Sequence, residues 1–330
     1  MTTDEATIEF LKRIPSEYPK HMLCFFAANA AGGVVLPFLR DLVAVLARVD
    51  TAAPGYCAAM LDRIAAVPGT GQGPYEAILQ ILSEIYVTGG ALAAADVEAG
   101  EPCIVHEPGD AGEKNPECEV KIAGRWCAIE VKTPQLINHR NSRGSVPWQL
   151  NTRMAALRES LKGGQILPRD NPVKDFLISA DAKFTAYERY RPGAFRLLII
   201  VWDDFCNEPI AALLNECAGL LTPNSFHKDA AGIVVTYPYI DGIIVVRHQH
   251  QLLNSTRCQP LVDGLSDAFG YHHKGFPPKA FIAVPGGRVV PQDIILALNA
   301  VPIAECIGAE YMGGDAVMWI GGDQESNADN

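Results

Sequence analysis

Apolar and polar residues alternate most regularly between residues 117 and 132, and this stretch is the clearest structural signal in the chain. Two alternating runs, Glu117 to Ile122 and Trp126 to Lys132, flank the short glycine-containing segment Ala123-Gly124-Arg125. Alternating runs joined by such a segment are typical of a β-hairpin. The pattern therefore predicts two antiparallel strands with one apolar face, which must pack against a core.

The other face of the predicted hairpin is charged. Because residues two apart in a strand share a face, Glu117, Glu119 and Lys121 lie together on the first strand. Glu130 and Lys132 lie together on the second strand, behind its apolar residues. Carboxylates and ammonium groups are costly to bury even partly, so their concentration on one hairpin indicates a chemical use.

Helical periodicity dominates the residues before this hairpin. Apolar stripes at helical spacing predict a helical N-terminal subdomain over residues 1 to 68. A glycine and proline cluster, Pro68 to Pro74, marks its end, and a further helix follows. On that helix Glu76, Gln80 and Glu84 recur on one face, which we expect to look toward the hairpin carboxylates. Glu76 is equally well explained as a first-turn carboxylate that meets the helix dipole.

One uncharged segment needs a separate interpretation. Residues 22 to 39 contain no charged side chain over 18 positions, which approaches the minimum length of a membrane span. The segment also contains Asn29, Pro37 and the pair Gly32-Gly33. We interpret it as a buried helix that is broken near the glycines, with a membrane span as the alternative.

After the hairpin, apolar runs alternate with helical segments. Phe195 to Trp202 and Tyr239 to Arg247 are apolar runs of strand length, as expected for strands buried on both faces. Strands separated by helices indicate an α/β fold with a central sheet. The remaining predicted elements are a strand at Cys103 to His106, helices at Trp148 to about Leu161, Ile210 to Leu221 and Pro291 to Ala300, and irregular basic chain at 163 to 193.

The composition is that of a globular protein in a reducing compartment. The 330 residues are 48% apolar and 20% charged, which excludes a disordered chain. Nine cysteines are scattered without a CxxC pair, so neither a disulfide framework nor a zinc knuckle is indicated. The acidic, polar N-terminus lacks the features of a signal peptide, and we expect a cytoplasmic protein.

The formal net charge of −11 hides an uneven distribution. Residues 75 to 120 contain 10 acidic residues and 1 basic residue, a net charge of −9. Residues 121 to 196 contain 14 Lys and Arg against 6 Asp and Glu, a net charge of +8. A basic segment that directly follows a carboxylate cluster is expected of phosphate contacts beside a metal site. The candidate contacts to nucleic acid in it are Arg140, Arg143, Arg153, Arg158 and Lys162.

Carboxylates and a lysine on one hairpin face suit the hydrolysis of a phosphodiester. The anionic substrate repels hydroxide, and a hard divalent cation overcomes this by neutralising the phosphate oxygens and lowering the pKa of a bound water. Magnesium usually takes one or two carboxylates with waters and substrate phosphate. Glu117 or Glu119 opposite Glu130 would supply these ligands. Lys132 can hold the attacking water or the charged transition state.

These residues resemble a known nuclease motif. Pro116-Glu117, followed thirteen residues later by Glu130-Val131-Lys132, is similar to the motif of the PD-(D/E)XK nuclease superfamily, which includes the restriction endonuclease-like fold. The resemblance covers roughly residues 74 to 250 and implies a central mixed sheet flanked by helices. Residues 251 to 320 are then an α+β extension, and we expect residues 321 to 330 to be a disordered tail.

The resemblance also implies an activity. It implies cleavage of nucleic acid that depends on Mg²⁺, with Mn²⁺ able to substitute. It implies Glu76 on the first helix at the metal, Gln149 on a later helix in the catalytic site, and the backbone carbonyl of Val131 among the metal ligands. DNA is favoured over RNA by family frequency, in settings such as bacterial defence, restriction or repair. No readout motif is evident, so we expect specificity from the appended parts, a homodimer or a partner protein.

Three alternatives stay open. The family usually has aspartate after the proline, where this chain has the longer Glu117, so Glu119 can be the first metal ligand instead. The site can also be decayed, which would leave a module that binds nucleic acid or protein. Finally, His248 and His250 could join other histidines in a transition-metal site, although an exposed strand end explains them better.

Overall fold

The computed structural model describes residues 1–97, 102–109, 114–135, 137–139, 148–150, 172–203, 207–273 and 278–318. The chain forms two compact units. The first comprises Met1–Leu136, Leu177–Asp204 and Tyr237–Cys306, and the second comprises Ile137–Phe176, Phe205–Thr236 and Ile307–Asn330. The hairpin predicted above lies in the first unit.

In the described chain before the hairpin lie five helices. They are α1 (Thr3–Arg13), α2 (Cys24–Ala31), α3 (Pro37–Ala52), α4 (Tyr56–Ala65) and α5 (Gln72–Ala93). Local sequence sets their starts, because Thr2 and Glu5 form a capping box on α1 and Pro37 occupies the first turn of α3. The predicted helical N-terminal part is confirmed.

The uncharged segment at residues 22 to 39 is not one helix. α2 ends at Ala31, the chain turns through Gly32 and Gly33, and α3 begins at Pro37. Gly33 has a φ of 86°, a left-handed conformation that glycine adopts without strain. The predicted break at the glycines is confirmed. None of the described helices is long and apolar enough to cross a bilayer.

A seven-stranded sheet forms the centre of the first unit. The strand order across the sheet is β1 (Ile104–His106), β2 (Cys118–Ile122), β3 (Arg125–Lys132), β5 (Phe195–Trp202), β6 (Gly242–Arg247), β7 (Lys279–Ala283) and β8 (Ala300–Pro302). The β1–β2, β2–β3 and β6–β7 pairs are antiparallel, and the β3–β5, β5–β6 and β7–β8 pairs are parallel. The predicted α/β fold with a central mixed sheet is therefore confirmed.

The turn of the hairpin is shorter than predicted. Arg125 pairs with Ile122 inside the sheet, which leaves only Ala123 and Gly124 in the turn. Their φ angles are 49° and 73°, and two positive φ angles in a two-residue loop are typical of a type I′ turn. The Gly124 amide donates to Asp96 Oδ2 at 2.6 Å, which fixes the turn to the chain that follows α5.

The two faces of the hairpin meet different helices. The apolar face joins the core, and α5 packs against both hairpin strands there. The charged face meets α6 (Val173–Tyr190), whose Lys183 and Tyr187 contact hairpin glutamates. Two shorter helices complete the described part of this unit, α8 (Gln249–Thr256) and α9 (Gln292–Ala297).

The second unit contains a small sheet and one longer helix among its described residues. β4 (Trp148–Leu150) pairs antiparallel with β9 (Ala316–Met318), and α7 spans Asn207–Leu214. Asn215 follows α7, and its Nδ2 donates to the carbonyls of Gly313 and Gly314, both at 3.0 Å.

Two predicted elements are wrong, and the helix predicted for Ile210 to Leu221 instead spans Asn207–Leu214. Residues 163 to 193 are not irregular throughout, because α6 occupies Val173–Tyr190. Trp148 does not begin a helix, since residues 148–150 are a strand whose partner lies far away in sequence. The predicted tail at 321 to 330 lies outside the described residues.

Candidate functional site

The hairpin register places two carboxylates side by side. Cys118 pairs with Ile129, so the preceding Glu117 lies opposite Glu130 on the charged face. The ammonium of Lys183 on α6 lies 3.2 Å from Glu117 Oε1 and 2.9 Å from Glu130 Oε2. The two carboxylates therefore converge on one cation position.

Lys132 contacts the second carboxylate from the same strand. Its Nζ lies 2.8 Å from Glu130 Oε1, an ion pair in which the Glu130 side chain is 0% exposed and that of Lys132 is 22% exposed. Burial raises the pKa of Glu130, although the ammonium groups of Lys183 and Lys132 act in the opposite direction. Lys132 thus lies at Glu130 Oε1 and Lys183 at Glu130 Oε2, so each oxygen of this buried carboxylate faces a cation.

A third carboxylate reaches the site from α5. Glu84 Oε2 lies 2.6 Å from an Arg63 nitrogen, and the same guanidinium lies 3.8 Å from Glu117 Oε2. Burial and the Glu117 charge raise the pKa of Glu84 to about 8, against the effect of Arg63. The neutral form of Glu84 is therefore favoured by its burial beside Glu117, whereas its contact with Arg63 favours the carboxylate.

The α5 face predicted from the sequence does turn toward the hairpin, but at a different glutamate. Gln80 Nε2 donates to the Thr133 carbonyl at 3.3 Å, just beyond β3. Glu84 lies one turn further along and meets Glu117 through its arginine. Glu76 is also buried. It precedes Glu84 by eight residues, which is about 12 Å along the helix axis at 1.5 Å per residue. Its role as a metal ligand stays a prediction.

Glu119 belongs to a different network. Arg191 Nε donates to Glu119 Oε2 at 2.7 Å and Arg191 Nη2 donates to Oε1 at 2.8 Å, a bidentate pair. The Tyr187 hydroxyl also donates to Oε2. Both oxygens of Glu119 are engaged, and the geometry favours Glu117 as the carboxylate that shares a cation with Glu130.

The structure gives positions for two other predicted site residues, Val131 and Gln149, but shows no contact that tests their roles. Val131 is buried on β3 between Glu130 and Lys132. Gln149 lies in β4 of the second unit opposite Val317, and its side chain is outside the described residues. The predicted nucleic-acid contacts also lie outside the described residues: Arg140, Arg143, Arg153, Arg158 and Lys162.

Several basic residues in the range 121 to 196 form ion pairs with buried carboxylates. Lys183 and Arg191 neutralise hairpin glutamates, and Arg196 Nη2 lies 2.8 Å from the buried Asp241 Oδ1. The sequence prediction contains neither Arg63 nor Lys183 as a site residue. An apolar stripe at helical spacing from Val173 onward is the signal that would have placed Lys183 on a helix.

The donor set fits a hard divalent cation. Glu117 and Glu130 already share one cation, and two carboxylates with waters and phosphate oxygens are sufficient for Mg²⁺. The ion would take the position of the Lys183 ammonium, which sits on a long and flexible side chain. Lys132 would remain beside Glu130 at the same end of β3.

The alternative histidine site is not assembled. The expected exposed strand end is also wrong, because His248 is buried and is the N-cap residue of α8. His248 Nε2–H donates to the Ala268 carbonyl at 2.7 Å, and its ring stacks on Tyr86 at 3.7 Å between centroids. His272 Nε2–H donates to the Gly90 carbonyl at 2.8 Å. In the part of the chain that the structure describes, no three His, Cys, Asp or Glu side chains form a metal-ligand group.

The chain was also compared with known proteins. Neither the protein-family models, nor the curated proteins, nor the solved structures gave a match. The likeness to the PD-(D/E)XK superfamily therefore rests on the hairpin residues alone.

Proposed function

We propose that this chain is a metal-dependent nuclease that hydrolyses phosphodiester bonds. The observation that carries the proposal is the Lys183 ammonium between Glu117 and Glu130, because it marks a position where both carboxylates bind one cation. Lys132 against Glu130 adds the neighbouring lysine that the resembled motif contains. The mixed sheet with helices on its faces agrees with the resemblance.

Each residue has a distinct role in this proposal. Glu117 and Glu130 bind Mg²⁺, or Mn²⁺ in its place, which supplies charge neutralisation at the phosphate and a water of lowered pKa. Lys132 donates to the attacking water or to a phosphate oxygen, and its partly exposed side chain can reach substrate. Arg63 orients Glu117 and Glu84 through its guanidinium.

The proposed substrate and biological setting come from the family resemblance. DNA is favoured over RNA by family frequency, in bacterial defence, restriction or repair. The cysteines in the described ranges are all free thiols, which suits the reducing cytoplasm. A homodimer or a partner protein is the expected source of specificity.

A cleavage panel tests the nuclease. Single-stranded, double-stranded and circular DNA and RNA are incubated with Mg²⁺, Mn²⁺ or EDTA. Cleavage should require the metal, and Glu130→Gln and Lys132→Met should each slow it at least about 100-fold. Lys121→Met, on the same face of the hairpin but remote from Glu130, is the matched control and should cleave normally. If Lys132→Met and Lys121→Met cleaved at equal rates, the proposed role of Lys132 would be wrong.

A second candidate is a binding module with a decayed site. Its supporting observation is the same ammonium, because Lys183 satisfies both carboxylates without any metal. A module of this kind should bind nucleic acid or protein in EDTA and should be indifferent to Lys132→Met.

Lys183→Met separates the two candidates. In a nuclease it vacates the cation position, so Mg²⁺ should bind more tightly and cleavage should persist. In a decayed module it leaves two buried carboxylates without their cation, so the protein should lose stability, and added Mg²⁺ should produce no cleavage. Mg²⁺ affinity by calorimetry and cleavage of plasmid DNA are the two readouts.

A further inference from the structure

A small cavity lies at the edge of the sheet where β6 ends and β7 begins. Its volume is about 40 Å³, and Arg247 at the end of β6 and Lys279 at the start of β7 both line it. The antiparallel pairing of these strands brings both residues to the same edge. A water needs roughly 10–15 Å³ of such volume, so the cavity has room for a compact ligand of a few heavy atoms.

Lys279 is a buried ammonium without a carboxylate partner. Its residue is 9% exposed, and no described carboxylate lies within ion-pair distance of its Nζ. The Tyr271 ring lies 4.7 Å from Nζ and offers a cation–π contact. Burial lowers the pKa of Lys279 to about 8, so the amine still carries its charge at neutral pH. A buried charge normally requires a counter-charge, which the described side chains do not supply.

Tyr271 presents a second group without a partner. The residue is 2% exposed, and its hydroxyl makes no hydrogen bond with the described residues. Buried tyrosine hydroxyls usually have a partner. The ring is held tightly against α5, where a Cβ at Gly90 would lie 2.1 Å from Tyr271 Cγ. Tyr271 is therefore a fixed residue of the cavity lining whose hydroxyl has a hydrogen bond to donate.

The other charged residues of the cavity wall are already engaged. Arg247 Nη2 lies 3.5 Å from Asp263 Oδ2, so this pair contributes no net charge. Burial lowers the pKa of His248 to about 3, which keeps its ring neutral. His273 Nε2 is bonded to the Asp263 carbonyl at 3.1 Å. The net charge that remains at the wall is the single positive charge of Lys279.

We propose that this cavity binds a compact oxyanion through the Lys279 ammonium and the Tyr271 hydroxyl. One negative charge balances the lysine, and the oxygens accept hydrogen bonds from its ammonium and from the Tyr271 hydroxyl, which has no partner among the described residues. The cavity lies at the carboxyl end of β6, the edge at which open α/β sheets generally bind ligands. This site is separate from the hairpin carboxylates and does not depend on the nuclease proposal.

Calorimetric titration of the full chain with sulfate tests the site. Sulfate should bind one per chain with a Kd near or below about 1 mM. Tyr271→Phe keeps the ring and should weaken binding about tenfold, whereas Lys279→Met should weaken it by at least that factor. Lys12→Met, an exposed lysine on α1, is the control and should bind as the wild type does. Unchanged sulfate binding by Lys279→Met, or no binding by the wild type, would overturn the proposal.

The identity of the oxyanion follows from parallel titrations. Phosphate, acetate and a nucleoside 5′-monophosphate distinguish a free inorganic anion, a carboxylate and a nucleotide phosphate. Sulfate does not titrate between about pH 6 and 9, so its affinity should fall above pH 8 as Lys279 loses its proton. The titratable and charged residues that line the cavity with Lys279 are Tyr86, Tyr271, His248, Arg247, Asp263 and His273. An affinity that does not change with pH would assign the anion to Arg247 and contradict the proposal.

Discussion

Glu119 and Glu130 are both fully buried glutamates of one hairpin, and their partners separate their roles. Glu119 is held by a guanidinium and a phenol, which together occupy both of its oxygens. Glu130 is held by two lysines, whose long side chains can leave when another cation arrives. The first arrangement suits structural stability, and the second leaves room for a ligand.

The Glu119 network should behave as a structural ion pair. Arg191→Met leaves a buried carboxylate without its cation and should lower the free energy of unfolding by roughly 3 kcal/mol. The double variant Glu119→Gln with Arg191→Met should regain part of this loss, because no uncompensated charge remains. Urea denaturation of the four proteins of this cycle is the measurement. A single variant as stable as the wild type would show that the pair contributes nothing.

The buried charge of Lys279 should lower the free energy of unfolding at neutral pH. Its pKa falls from 10.5 to about 8 on folding, so the unfolded chain binds more protons between these values and stability should rise with pH there. Below pH 8 both states are protonated and the full cost is present. Lys279→Met should therefore be more stable than the wild type at pH 7, by up to roughly 3 kcal/mol.

The pH dependence checks the cause of this gain. Urea denaturation in a buffer free of oxyanions should show the difference between Lys279→Met and the wild type shrinking as pH rises from 7 toward 10. A difference that stays constant over this range would mean that packing, and not the lysine charge, accounts for it.

Short-range sequence patterns predicted some of the site residues but not others. Glu117, Glu130 and Lys132 were predictable because strand alternation and the hairpin turn fix their common face within sixteen residues. For α5, the sequence predicted which face of the helix meets the hairpin but not which glutamate on that face. Choosing Glu84 over Glu76 requires knowing where the helix crosses the hairpin. The contacts of Arg63 and Lys183 depend on how whole helices dock, which short-range patterns do not encode.

At the scale of elements, α6 shows why charge can hide a helix. Its sequence mixes acidic and basic residues, and the basic character of the segment suggested irregular chain. The buried side chains nevertheless recur at helical spacing, at Val173, Leu177, Ala180, Phe184 and Tyr187. β5 posed no such difficulty, because its continuous apolar run predicted Phe195–Trp202 without error.

The hairpin turn carries a residue that can be improved. Ala123 adopts a φ of 49°, which asparagine tolerates better than alanine in a type I′ turn. Ala123→Asn should stabilise the protein by about 0.5–1 kcal/mol, because it creates the preferred Asn-Gly turn. Gly124→Ala is the opposing variant and should destabilise it, since Gly124 also has a positive φ. Thermal unfolding of both variants checks the sign of each effect.

At the scale of the whole molecule, the basic segment has fewer charges available for phosphate than the sequence suggests. Lysines and arginines that neutralise buried carboxylates are not available for phosphates, as Lys183, Arg191 and Arg196 illustrate. In the proposed nuclease, nucleic-acid affinity should therefore depend on the remaining predicted contacts, Arg140, Arg143, Arg153, Arg158 and Lys162.

The salt dependence of binding measures how many of these five residues bind phosphate. Replacing all five by glutamine should reduce the slope of log K against log salt by about 0.9 for each duplex phosphate that the protein no longer neutralises. Replacing Lys12, Lys20 and Arg40, which lie in the helical N-terminal part, should leave the slope unchanged. A slope that survives the fivefold replacement would place the phosphate-binding residues elsewhere.

The strand order of the large sheet has a consequence for synthesis. Within that sheet, every pair of spatial neighbours also follows one another along the chain, from β1 to β8. As the chain leaves the ribosome, each new strand can add to the growing edge, and none must be inserted between two strands that have already paired. The longest delays fall after β3 and after β5, where long stretches of chain intervene. During each delay the last strand made is a bare edge that other nascent chains can pair with, so these two pauses are where chaperone protection matters most.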